Sequence, residues 1–229
     1  MSLDGFAMGA GPDDLALGFV ALDGRVQRVR DQIVSRSYTV EDRRKVIQLS
    51  VDGVGRIKHV EVDPRWQRVL QAQVLDREVA ALYRAARDEA AHAEQVAYSD
   101  AGFSEAAGSE VAAALRGLVT TIPGARDILA RLSSESLRVE RERGAVAAEF
   151  NGDGVLLSLE IRTRYAIETD PARLAGNIEA ALREGEEAIV QRRTDLAAEL
   201  TSGRSIEEVA EENLDRLRQR MDVLRARLP

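Results

Sequence analysis

Val46-Ile47-Gln48-Leu49-Ser50-Val51-Asp52-Gly53-Val54-Gly55-Arg56-Ile57-Lys58-His59-Val60-Glu61-Val62-Asp63-Pro64 is the stretch from which the rest of the chain is read. Ile47, Leu49 and Val51 alternate with polar Gln48 and Ser50, the period-2 signature of a strand with one buried face. Gly53 and Gly55 supply the positive φ that a tight hairpin turn needs. Val60 and Val62 put a second strand on the same apolar face, and Asp63-Pro64 ends it. The pattern occurs twice. Val146-Ala147-Ala148-Glu149-Phe150-Asn151-Gly152-Asp153-Gly154, followed by Val155 to Ile161, repeats it 99 residues downstream.

Working outward, residues 1–14 are Gly-rich and read as a flexible lead-in. Leu15, Phe19, Leu22, Val26, Val29 and Ile33 recur at spacings of four and three, which predicts an amphipathic helix. Ser37 to Val40 reads as a short strand before the hairpin. Trp66 to Gln73 is a connection or a first turn, and Leu75 to Ala97 a long helix, apolar at Leu75, Val79, Leu82, Ala86 and Ala90. Residues 98–121 read as a linker with a short helix at Glu110 to Val119, because Tyr98 to Ser109 is rich in Gly, Ser and Ala. A helix from Pro123 to about Ser134 precedes strands at Leu137 to Arg141, Ala145 to Asn151 and Val155 to Arg162. Asp170-Pro171 then opens a helix to about Leu200.

One gapless 99-residue offset pairs the inward residues of the two stretches: Ile33 with Leu132, Val51 with Phe150, Val60 with Leu159, Trp66 with Tyr165 and Val79 with Ile178. The turn glycines pair as Gly53 with Gly152 and Gly55 with Gly154. The expected architecture is α+β: two tandem αβββα units, residues 15–97 and 122–200, each a three-stranded antiparallel sheet with long flanking helices. Residues 205–229 stand outside the repeat. Ser205-Ile206-Glu207-Glu208 is a capping-box pattern, and Ala210, Leu214, Leu217, Met221, Leu224 and Leu228 form an a/d-like stripe. That stripe predicts a C-terminal helix that packs on its own core or on a partner helix.

Composition narrows the function. The chain has 229 residues, 45% of them hydrophobic, and no cysteine, which removes disulfides and thiolate metal sites and fits a reducing cytoplasm. Residues 1–11 lack the basic and apolar regions of a signal peptide, and no uncharged apolar run approaches the roughly 20 residues of a membrane helix. A soluble, cytoplasmic protein is expected. The net charge of −7 argues against a surface devoted wholly to nucleic acid, and the few aromatics argue against a base-stacking platform.

The motif V-x-x-x-V-D-G-x-G-x-[IL]-x-x-V-x-[VI]-D-P, here Val51-Asp52-Gly53-Val54-Gly55-Arg56-Ile57, Val60, Val62 and Asp63-Pro64, resembles the YbaB/EbfC family of bacterial nucleoid-associated proteins. The resemblance covers Leu15 to Ala97 and, more loosely, Ile122 to Leu200. Members of that family are typically single-unit homodimers that bind DNA with little sequence preference. The resemblance implies such binding here, with both units in one chain forming an internal pseudo-dimer. The copies differ in charge. Arg36, Arg43, Arg44, Lys45, Arg56 and Lys58 surround the first set of strands, whereas the second mixes arginines with Glu140, Glu142, Glu149, Asp153 and Glu160.

The expected DNA-contacting residues are therefore Arg25, Arg28, Arg36, Arg43, Arg44, Lys45, Arg56 and Lys58, able to neutralise phosphates without reading sequence. Leu214, Leu217, Met221, Leu224 and Leu228 are the expected partner-helix interface. The alternative is a protein-binding scaffold or chaperone-like adaptor, suited to an acidic chain with an amphipathic C-terminal helix. No enzyme, cofactor or metal is expected. His59 and His92 are the only histidines, neither lies near a nucleophile motif, and Gly152-Asp153-Gly154 lacks the following helix of a dinucleotide fingerprint.

Overall fold

The computed structural model describes residues 29–100, 130–131 and 134–200. The lead-in, the first fourteen residues of the expected first helix, most of the linker and the expected C-terminal helix at 205–229 lie outside the described residues.

Residues 29–35 form the helix α1, followed by strands β1 (Ser37–Glu41), β2 (Ile47–Asp52) and β3 (Ile57–Val62). A short helix α2 (Trp66–Val69) and a 3-10 turn (Ala72–Val74) lead into the long helix α3 (Leu75–Asp100). Strands β4 (Ser136–Arg141), β5 (Val146–Asn151) and β6 (Leu156–Ile161), a short helix α4 (Thr163–Glu168) and the long helix α5 (Pro171–Leu200) complete the order. Ser37 to Ser136, Ile47 to Val146 and Ile57 to Leu156 keep the same 99-residue offset. The chain is α+β, with two three-stranded antiparallel sheets ordered β1-β2-β3 and β4-β5-β6.

The repeat extends to irregularities. Each central strand carries a register shift at equivalent places, Ser50/Val51 and Glu149/Phe150. Each hairpin turn is tied by the residue that ends its central strand. Asp52 Oδ1 accepts from the amides of Val54 and Arg56 at 3.0 and 2.8 Å, and Asn151 Oδ1 accepts from Asp153 and Val155 at 3.0 and 2.9 Å. Both are side-chain turns of the kind Asp and Asn favour.

The two turn glycines serve different ends, which corrects the expectation of positive φ at both. Gly55 and Gly154 adopt φ of +80° and +76°. Gly53 does not have positive φ; a Cβ there would lie 1.7 Å from the Ile33 carbonyl oxygen, so glycine lets the end of α1 rest on the turn.

The inward faces of both sheets meet the two long helices in one contiguous core, from Ile47, Leu49 and Val51 to Val146, Ala148 and Phe150. Each long helix covers its own half and crosses to the other. α3 packs on β1 and β2 and also on β6, while α5 packs on β4 and β5 and also on β3. Trp66 is wholly buried in this core, whereas its equivalent Tyr165 is partly exposed and its hydroxyl oxygen accepts from Asn177 Nδ2 at 2.6 Å.

Several expected boundaries move. α3 continues through Asp100, so its last three residues come from the expected linker; their helical geometry outweighs a local composition that reads as loop. β4 begins at Ser136, and Ala145 and Val155 belong to turns, not strands. The connection through Tyr165 is helical. α5 starts as expected at Pro171, with Asp170 Oδ1 accepting from the Ala172 and Arg173 amides. No helix among the described residues is long and apolar enough to cross a membrane.

Candidate functional site

The two Gly-x-Gly turns face one cleft of about 370 Å³, closed on its sides by α1, α3 and α5. Arg30 from α1, Arg56 from the first turn, Arg87 from α3 and Arg193 from α5 all line it. Asp52, Asp153 and Glu186 are its acidic members, and Val34, Val54 and Val190 are exposed apolar residues on its walls.

Arg87 spans the two turns. Its Cγ lies 3.4 Å from the position a Gly55 Cβ would take, so a side chain at Gly55 would crowd it, and its guanidinium donates to the Gly154 carbonyl. The same guanidinium sits 5.5 Å from the centre of the Tyr83 ring, a cation–π contact. Arg193 forks onto the Gly152 carbonyl at 3.0 and 3.1 Å. Two long helices thus clamp the second turn through its carbonyls. The side chains of Arg30 and Arg56 make no hydrogen bond or ion pair among the described residues, and both are exposed.

Behind the cleft is a buried polar cluster. Tyr83 donates its hydroxyl to Glu186 Oε1 at 2.6 Å, and Glu186 also accepts from the Ile57 amide at 3.1 Å. Burial pushes the Glu186 carboxyl above its ordinary value, opposed by the Tyr83 hydroxyl, the Ile57 amide and the Arg87 charge. Burial, together with the Glu186 charge, likewise raises the Tyr83 phenol. Phe150 meets Tyr83 edge-on, with ring centres 6.3 Å apart.

Glu186 belongs to a row on α5 that closes the free edge of β3. Glu179 accepts from the Val60 amide at 3.2 Å and meets His59 Nδ1 at 3.1 Å, and Arg183 donates to the Lys58 carbonyl at 3.3 Å. Glu179, Arg183 and Glu186 stand at i, i+4 and i+7, one helix face. They provide the edge strand with hydrogen-bonding partners that a neighbouring strand would otherwise supply.

The expected basic residues do not converge. Arg36 and Arg56 lie at the glycine-turn end of the first sheet, while Arg43, Arg44 and Lys45 lie at the opposite end in the β1–β2 turn. Lys58 is exposed on β3. Arg44 approaches Glu78 at 3.7 Å. The solvent face of the first sheet shows Thr39, Glu41, Ser50 and Glu61, and on the second Arg138 is paired with Glu140 and Glu160. Arg25, Arg28, Leu214, Leu217, Met221, Leu224 and Leu228 lie outside the described residues. His92 is exposed on α3.

Sequence reasoning missed Arg30, Tyr83, Arg87, Glu186 and Arg193 as cleft residues. One signal was present: the 99-residue offset that matches apolar positions sets Arg87 opposite Glu186. No protein-family model, curated protein or solved structure matches this chain.

Proposed function

We propose that this chain is a non-enzymatic DNA-binding protein of the nucleoid-associated type, built from two tandem YbaB-like αβββα units paired within one chain. Duplex DNA is held through its phosphates at the glycine-turn end, with little sequence preference. The observation that carries this reading is the convergence of four arginines from four elements on one cleft, the side chains of Arg30 and Arg56 among them without protein partners in the described residues. Guanidinium groups suit phosphate oxygens, and contacts to phosphate carry no sequence information. Arg36 lies at the same end of the sheet and extends the basic surface. The net charge of −7 then restricts contact to this end.

Fluorescence anisotropy with two unrelated duplexes over a salt series tests the reading. Both duplexes bind alike, affinity falls steeply with salt, and Arg30→Ala/Arg56→Ala lowers the salt slope by about two phosphate contacts. Absence of binding at low salt, or a double variant that binds like wild type, overturns it.

A protein-binding adaptor is the second reading, favoured by exposed Val34, Val54 and Val190 on the same cleft. Under it, Val54→Asp/Val190→Asp abolishes recovery of a protein partner in a pull-down, and the arginine variant has no effect.

A further inference from the structure

We propose that the seam between the two halves carries a pairing rule: residues 29–100 bind residues 130–200, from the same chain or a second copy, and reject a second copy of themselves. The rule stands whether or not DNA is the ligand.

The two halves share one backbone plan at a 99-residue offset, so a like-with-like pair can be specified residue by residue. In the observed pair, Glu179 and Glu186 of α5 accept from the Val60 and Ile57 amides at the free edge of β3. Glu186 also receives the Tyr83 hydroxyl from α3. The α3 positions equivalent to Glu179 and Glu186 are Ala80 and Arg87.

Two first halves would therefore offer Ala80 and Arg87 to the β3 edge, and neither can accept a hydrogen bond. The Val60 and Ile57 amides and the Tyr83 hydroxyl would all lose their acceptors, on both sides of the pair. Two Arg87 guanidiniums would also meet at the seam. Two second halves would fail differently. Leu182 stands where Tyr83 does, so Glu186 would lose its hydroxyl donor and the neighbouring Arg87 charge. Two half-buried Glu186 carboxylates would then share the seam. A pair of first halves thus leaves these groups unpaired and sets Arg87 against Arg87, and a pair of second halves sets Glu186 against Glu186, while the mixed pair joins Glu186 to the Tyr83 hydroxyl beside the Arg87 charge.

The test uses the full-length chain carrying one protease site inserted between residues 101 and 129, cut after folding. Cut protein is mixed with an isotopically heavy copy, exchange is promoted with mild denaturant, and pairs are weighed by native mass spectrometry. Light and heavy halves should reassort while every pair keeps one N-terminal and one C-terminal fragment, in at least about tenfold excess over either like pair, since a single unmet buried group costs about that factor. Like pairs at the frequency of random assortment overturn the rule.

A second measurement on the uncut chain decides the matter if the fragments separate or do not exchange. Arg87→Glu and Glu186→Arg each put like charges at the seam and lower the melting temperature. The double swap restores opposite charges and melts above both single variants. A swap that melts at or below the weaker single variant overturns the rule.

Discussion

The second half packs Phe150 against Gly185 where the first half has Val51 and Ala86, all four buried. A Cβ on Gly185 would lie 2.1 Å from the Phe150 ring, so the helix gives up a methyl group to admit a phenyl. Glycine inside a helix costs about 1 kcal/mol relative to alanine, whereas burying a phenylalanine side chain contributes about 1.5–3 kcal/mol. The same backbone thus accepts two solutions of similar total volume, as packed interiors require. At the neighbouring plug position the halves differ again, with Trp66 fully enclosed and Tyr165 reaching solvent. The lesson is that the duplicated frame fixes where volume goes and leaves open which side supplies it.

The largest effect is expected at the plug. Trp66→Ala should cost about 3–5 kcal/mol of unfolding free energy by urea titration, and Tyr165→Ala distinctly less, because only the first leaves a fully enclosed void. Equal costs would break the contrast. Next comes the packing pair. Gly185→Ala should destabilise by about 1–3 kcal/mol despite alanine's better helix propensity, and Phe150→Val in the same chain should recover much of the loss by recreating the first half's solution. A neutral Gly185→Ala would show that the ring moves freely.

Glu186→Gln probes the seam through pH. The Glu186 carboxyl titrates above its unfolded value of 4.5 because it is buried. Its contribution is therefore fully present below about pH 4.5 and declines as pH rises through the folded value. Wild type should exceed Glu186→Gln by more at pH 5 than at pH 8 in paired thermal melts; the opposite trend would contradict the raised value. The groups facing Glu186 are Tyr83, Arg87 and Asp52. Carboxylates held low by arginine, such as Asp63 at about 2 beside Arg65, move the other way but are common to both proteins. The smallest effect belongs to Arg164→Ala, which removes an exposed pair with Glu168 and should change stability by no more than about 0.5 kcal/mol in the same melts.

Much of the frame was legible because its signals are local. Alternation in Ile47 to Val51 and the glycines of the turn depend on neighbours along the chain, so the strands, their inward faces and the hairpins followed from them. The end of α3 did not, since Tyr98 to Asp100 are helical in spite of a loop-like composition. The cleft was legible only in part. Arg56 stood out as a basic residue in a turn, but nothing in the local sequence sets Arg87 or Glu186 apart from the other charges of the long helices. Their role arises because each long helix crosses to the opposite sheet, and periodicity does not encode that choice. The Gly53 requirement was hidden for the same reason: the Ile33 carbonyl that demands it lies twenty residues away in sequence.

Trp66 gives the protein a built-in optical probe. It is the chain's single tryptophan, fully enclosed, with its indole N–H free of any hydrogen-bond partner. An indole held this way emits at the blue end of its range and shifts to the red when water reaches it. That emission reports only on the first half, while circular dichroism weighs the helices of both. Because one core runs through the two halves, the two signals should change together on denaturation. A fluorescence transition that runs ahead of the helical one would mean that the first half can loosen while the second stays folded.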